Sequence, residues 1–96
     1  MTIVWSTAAV EDLTHLRNHI TQHDPTAAAR VAGAILDAVE NLELYPSMGR
    51  PGRVPHTREL VIPNTPYVVP YTITEDMVEI IAVIHSARKW PDENSR

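Results

Sequence analysis

Apolar residues recur at helical spacing through the first half of the chain and at alternate positions through the second half. Thr2 to Trp5 is β-branched and aromatic and reads as a first strand, with Ser6 placed to cap a following helix. Ala9, Leu13, Leu16 and Ile20 then recur at steps of four, three and four, a single stripe that Val10 broadens. Asp24-Pro25 stops and restarts the chain: Asp24 is an N-cap, and Pro25 stands at the first helical position, where its missing N–H costs nothing. The second helix is predicted to run to about Leu44. It buries Ala28, Val31, Ile35, Val39 and Leu42 and leaves Arg30, Asp37 and Glu40 in water.

Tyr45-Pro46 ends that helix, and the stretch from Met48 to Leu60 carries Arg50, Arg53, His56 and Arg58 between two glycines and two prolines, a turn-bound basic loop. The period then changes to two. Thr57 to Ile62 reads as a strand, Pro63-Asn64-Thr65-Pro66 as a turn, and Tyr67 to Ile73 as a strand with Tyr67, Val69, Tyr71 and Ile73 on one face. Pro70 cannot donate to a ladder, so a bulge or an unpaired side is expected there. Thr74-Glu75-Asp76 turns the chain into Met77 to Ile84, whose unbroken Ile80-Ile81-Ala82-Val83-Ile84 marks a strand covered on both faces. The order β-α-α-β-β-β gives an α+β domain over residues 1–91, a helical hairpin packed on a mainly antiparallel sheet with a short C-terminal segment. Residues 92–96 are a polar tail.

A formal charge of −4 and a pI near 5.6 argue against a surface tuned throughout for nucleic acid. Five of the eight basic residues (Arg50, Arg53, Arg58, Arg88 and Lys89) nevertheless fall in two clusters, so a local positive patch is compatible with the negative total. The quieter reading is that some of these arginines offset Glu40 and Glu43, which stand at a helix C-terminus where the dipole disfavours carboxylates. Without cysteine there is no disulfide scaffold, thiolate metal site or cysteine nucleophile, and with no signal-like or membrane-length segment a cytoplasmic location is expected. His15, His19 and His23 follow one another at i, i+4, a spacing that suits a shared metal. With no carboxylate interleaved as in zinc proteases, the expectation is a solvated histidine face and no metal or other cofactor.

Gly49-Arg50-Pro51-Gly52-Arg53-Val54, Thr57-Arg58-Glu59-Leu60-Val61-Ile62, Pro66-Tyr67-Val68-Val69 with Tyr71, and Val83-Ile84-His85 with Ala87-Arg88 and Trp90-Pro91 together resemble the RelE/ParE superfamily of toxins from type II toxin-antitoxin modules. The resemblance runs from about Ile3 to Pro91. It implies a growth inhibitor silenced by a cognate antitoxin protein in a hetero-oligomer, the antitoxin supplying any contact with operator DNA, as in plasmid-stabilisation modules. Two targets follow from it: DNA gyrase for ParE-like members, or mRNA on the ribosome for RelE-like members.

Metal-free RNA cleavage needs a base for the 2′-hydroxyl, a cation for the phosphorane and an acid for the leaving oxygen. His85 is the candidate acid or base, Arg58 and Arg88 the candidate phosphate holders, and His56 or Glu59 a second proton carrier. Arg50, Arg53, Lys89, Trp90, Tyr67 and Tyr71 are candidates for binding target or antitoxin, the aromatic ones by stacking. Each also has a structural role open to it, as a strand-end hydrogen bond, a cross-strand ion pair or cover for the sheet. Two features weigh against the nuclease: Tyr67 stands where ribosome-dependent members commonly carry a basic residue, and the chain is acidic. The reading leans to gyrase interference, with the ribosome-dependent endoribonuclease as the alternative and a non-toxic antitoxin-binding domain as the third possibility.

Overall fold

The computed structural model describes residues 1–91; the polar tail lies outside the described residues. In chain order the elements are β1 (Thr2–Trp5), α1 (Thr7–Thr21), α2 (Pro25–Glu40), a 3-10 turn (Asn41–Glu43), β2 (Arg50–Pro51), β3 (Arg58–Val61), β4 (Tyr67–Thr74), β5 (Met77–Ile80) and β6 (Ile84–His85). Both predicted caps form: Ser6 Oγ accepts from the Ala9 N–H at 3.0 Å, and Asp24 Oδ1 from the Ala27 N–H at 3.1 Å. The five residues expected on the inner face of the second helix pattern are all buried, Leu42 in the 3-10 turn. α2 itself stops at Glu40, short of Leu44. Leu44 is 77% exposed, and with nothing apolar to bury and Pro46 two residues on, the helix tightens and ends. Val10 does not join the α1 stripe either. It lies half exposed on the outer side, while Ala9 is buried and Leu13, Leu16 and Ile20 pack partly buried on the core.

The strands form one sheet in the order β1-β5-β4-β3-β2, with β6 also on β4. β1 pairs parallel to β5, and every other pair is antiparallel; both helices carry the chain from β1 to β2 at the opposite end of that order. The helices cover one face, where Ile35, Val39 and Leu42 meet Leu60, Ile62, Val69, Tyr71, Val78 and Ile80. The opposite face carries a smaller cluster of Val68, Ala82, Ile84 and Trp90.

The expected strand from Met77 to Ile84 is interrupted. Tyr71 pairs with Ile80 and Val68 with Ile84, so Ile81, Ala82 and Val83 stand against only Val69 and Pro70. This is the irregularity that Pro70 foretold: the Ile81 N–H reaches the Pro70 carbonyl at 2.9 Å, but Pro70 returns no N–H. The groups freed from the ladder go to the start of α1. Ser6 Oγ donates to the Ile81 carbonyl at 3.0 Å, and the Val83 N–H donates to Asp12 Oδ2 at 3.0 Å. The apolar run is buried as expected except at the half-buried Ile81, but it is not one continuous strand.

Candidate functional site

Beside the middle of β4, where Glu59 stands opposite Pro70, the basic loop is folded on a buried carboxylate. Two close approaches let it turn back: a Cβ on Gly49 would meet Tyr71 Oη at 2.6 Å, and one on Gly52 would meet the Thr57 carbonyl oxygen at 2.9 Å. The two-residue strand β2 results, Arg50 opposite Glu59 and Pro51 opposite Arg58. Glu59, which strict alternation would turn to solvent, is 1% exposed. Its Oε1 accepts from Arg50 Nη2 at 3.1 Å, and its Oε2 accepts from the Arg53 N–H at 2.9 Å with Arg53 Nε at 3.4 Å. Burial by itself would raise the Glu59 pKa. The Arg53 N–H, the Arg50 guanidinium and the charges of both arginines together hold it below the usual carboxylate value.

Arg58 and Tyr71, the next pair along the ladder, complete this region. Arg58 Nη1 donates to the Gly49 carbonyl at 2.7 Å and to the Ser47 carbonyl at 3.2 Å, not to a carboxylate. Tyr71 Oη accepts from the Gly49 N–H at 2.9 Å and donates to the Pro46 carbonyl at 2.6 Å. Burial pushes the Tyr71 phenol above its ordinary value against the opposing pull of Gly49 and Arg58. His56, in the left-handed region at φ 67°, lines an open depression with Pro51, Thr57, Arg58 and Ile73.

The Tyr67 end of β4 is different in kind. His85 stands opposite Tyr67, the rings edge to face with centroids 5.7 Å apart. Its Nδ1 accepts from the Ala87 N–H at 3.1 Å, so the neutral imidazole carries its proton on Nε2. His85 and Arg88 line a shallow depression of about 290 Å³ with Asp12, His15, Leu16, His19, Tyr67 and Val83.

The candidates thus divide. His85, Arg88 and Tyr67 come together, whereas Arg58 and His56 line a separate depression. Arg58 pairs with Tyr71 and His85 with Tyr67, four residues or about 13 Å apart along β4. A single rim carrying Arg58, His85 and Arg88 is therefore not formed. Arg50 and Arg53 find their carboxylate in Glu59, not in Glu40 or Glu43, and Arg53 Nη1 also reaches the Arg88 carbonyl at 3.4 Å. Tyr71 and Glu59 are buried where a stacking face and a proton carrier were expected, and Trp90 is buried in the outer cluster at 7% exposure; Lys89 is exposed. His15, His19 and Asp12 were missed as neighbours of His85. Their α1 spacing was visible, but which strand end they face depends on how the hairpin lies on the sheet.

Proteins of similar sequence align over nearly the whole chain. Y4kP of Sinorhizobium fredii is 46% identical over 89 residues, covering 93% of this chain and 92% of that one. Toxin RelE2 of Caulobacter vibrioides is 36% identical over 86 residues, covering 90% and 96%. In solved structures, a chain of the chromosomal ParDE TA system from P. aeruginosa superimposes with a TM-score of 0.81 at 24% identity, over 88% of this chain and 95% of that one, which shows the fold. The family model for the ParE toxin of type II toxin-antitoxin system, parDE, matches residues 3–90, and no helix among the described residues is long and apolar enough to cross a membrane. An α+β sheet with a helical hairpin, matched by that model across nearly all of its length, places the chain in the ParE toxin family of type II toxin-antitoxin systems, within the RelE/ParE superfamily.

Proposed function

We propose that this toxin stops growth by binding DNA gyrase, not by cutting mRNA, and that its antitoxin acts by covering the surface that binds. The observation that carries this reading is the separation of the groups a nuclease would need. Arg58 spends its guanidinium on the carbonyls of Ser47 and Gly49 beside the middle of β4. His85 stands at the Tyr67 end with its Nδ1 lone pair already accepting from Ala87, so the neutral ring offers a proton donor but no base. Glu59 is committed to two arginines. A binding inhibitor needs no converged acid, base and cation, and a chain of net charge −4 is poorly suited to docking on ribosomal RNA.

The ribosome-dependent endoribonuclease is kept as a second reading because His85, Arg88 and Tyr67 share a depression and because two relatives carry RelE names. Purified protein titrated into a gyrase supercoiling reaction tests the choice. The expected result is inhibition with accumulation of cleaved DNA, retained in His85→Ala, while mRNA stays intact in cells induced for the toxin alone. Undisturbed supercoiling together with ribosome-dependent mRNA cleavage that disappears in His85→Ala would transfer the case to the nuclease.

A further inference from the structure

The corner between α1 and α2 holds an arrangement that neither toxin reading uses. His19 and His23 are exposed, with ring centroids 5.5 Å apart and planes at 73°. In a tetrahedral zinc site with Zn–N near 2.0 Å, two imidazole centroids stand about 5.2 Å apart, and at a square-planar right angle about 4.5 Å. The observed separation, an edge-to-face contact, is nearer the first. Only rotation about the exposed χ angles is needed to turn one nitrogen of each ring toward a common point.

The backbone beneath is already fixed. The Gln22 N–H donates to the Asn18 carbonyl, and the His23 and Asp24 N–H groups both donate to the Ile20 carbonyl at 3.0 and 2.8 Å. His23 thus lies past the last turn of α1 yet is held one turn from His19. The site also stands at the C-terminal end of a 15-residue helix, where the partial negative charge of the last carbonyls favours a cation. Asp24, the next residue, adds a carboxylate whose Oδ1 accepts from Ala27.

We infer that His19 and His23 form a two-ligand site for a divalent transition metal ion of tetrahedral preference, zinc above all. No group of three or more His, Cys, Asp or Glu among the described residues can hold an ion. The protein therefore supplies two positions, and water or a side chain of another molecule fills the others. Both rings must be neutral to bind, so uptake weakens as the pH falls.

Calorimetry with Zn²⁺, and the visible spectrum with Co²⁺, on the full chain freed of any affinity tag tests the site. One ion per chain is expected, with a tetrahedral cobalt spectrum. Affinity should drop at least tenfold in His19→Gln and in His23→Gln and change less than twofold in His15→Gln. All three positions are exposed, so circular dichroism should confirm unaltered folding. No saturable binding, or binding untouched by His23→Gln, overturns the proposal; a loss in His15→Gln as large as in His19→Gln overturns the assignment of the pair.

Discussion

The middle of β4 and its Tyr67 end carry similar inventories of polar side chains and use them in opposite ways. Beside Pro70 and Tyr71, the side chains of Arg50, Arg53, Arg58, Glu59 and Tyr71 are spent on one another and on the backbone of residues 46–53. At the Tyr67 end, His85, His15 and His19 stand exposed around an open depression. The basic loop that stands out in the sequence is therefore mainly architecture, and the less conspicuous end keeps its chemistry available. Clustering of charge along a chain reports where charge is needed. Whether it is needed for the fold or for a partner depends on the counter-charge.

The comparison breaks most visibly if the buried carboxylate loses its partners. Arg50→Ala with Arg53→Ala should destabilise the protein by about 3 kcal/mol, the low end for a buried charge stripped of its counter-charges because the Arg53 N–H still donates to it and both arginines are partly solvated, as read by urea unfolding. Gly49→Ala should cost about 2 kcal/mol in the same assay, because its methyl is pressed between Tyr71 and the Glu59 carbonyl oxygen.

A finer probe is pH. Glu59 has a folded pKa below its unfolded value, so its stabilisation is fully present above about 4.5 and is lost as the pH falls through the depressed value. Glu59→Gln should cost about 1–2 kcal/mol at pH 7 and flatten the acid limb of stability against pH. An unchanged acid limb in that variant would mean that another carboxylate governs it. Tyr71, raised when folded, contributes in the other direction: its stabilisation is complete below about 10 and fades as the pH climbs through the raised value. At the open end, His85→Ala should move stability by no more than about 0.5 kcal/mol, the usual range for an exposed side chain. A loss comparable to that at Glu59 would show that the two regions are not different after all.

What the sequence revealed and what it hid follow from the range of the interactions. The caps at Ser6 and Asp24, the inner face of α2 and the irregularity at Pro70 depend on neighbours within a few residues, and all were legible. Glu59 was not. Period-two alternation assigns it to water, and only the folding back of β2 brings Arg50 and Arg53 over it. The Arg58 contacts were hidden for the same reason, since backbone carbonyls carry no signature in a sequence. The neighbourhood of His85 combines a strand end with α1, elements some seventy residues apart, and no spacing rule joins them.

The three-against-two mismatch at Pro70 has a consequence for assembly. Sliding the last strand by one position would strip Ser6 of Ile81 and Asp12 of Val83 at once, so the chain has a single alignment in which every hook is caught. Those hooks sit in the opening turns of the first helix, 75 and 71 residues upstream. The earliest part of the chain thus acts as the latch for its final strands, and an N-terminal deletion reaching Ser6 should loosen Ile81–Val83 and uncap the first helix in one step.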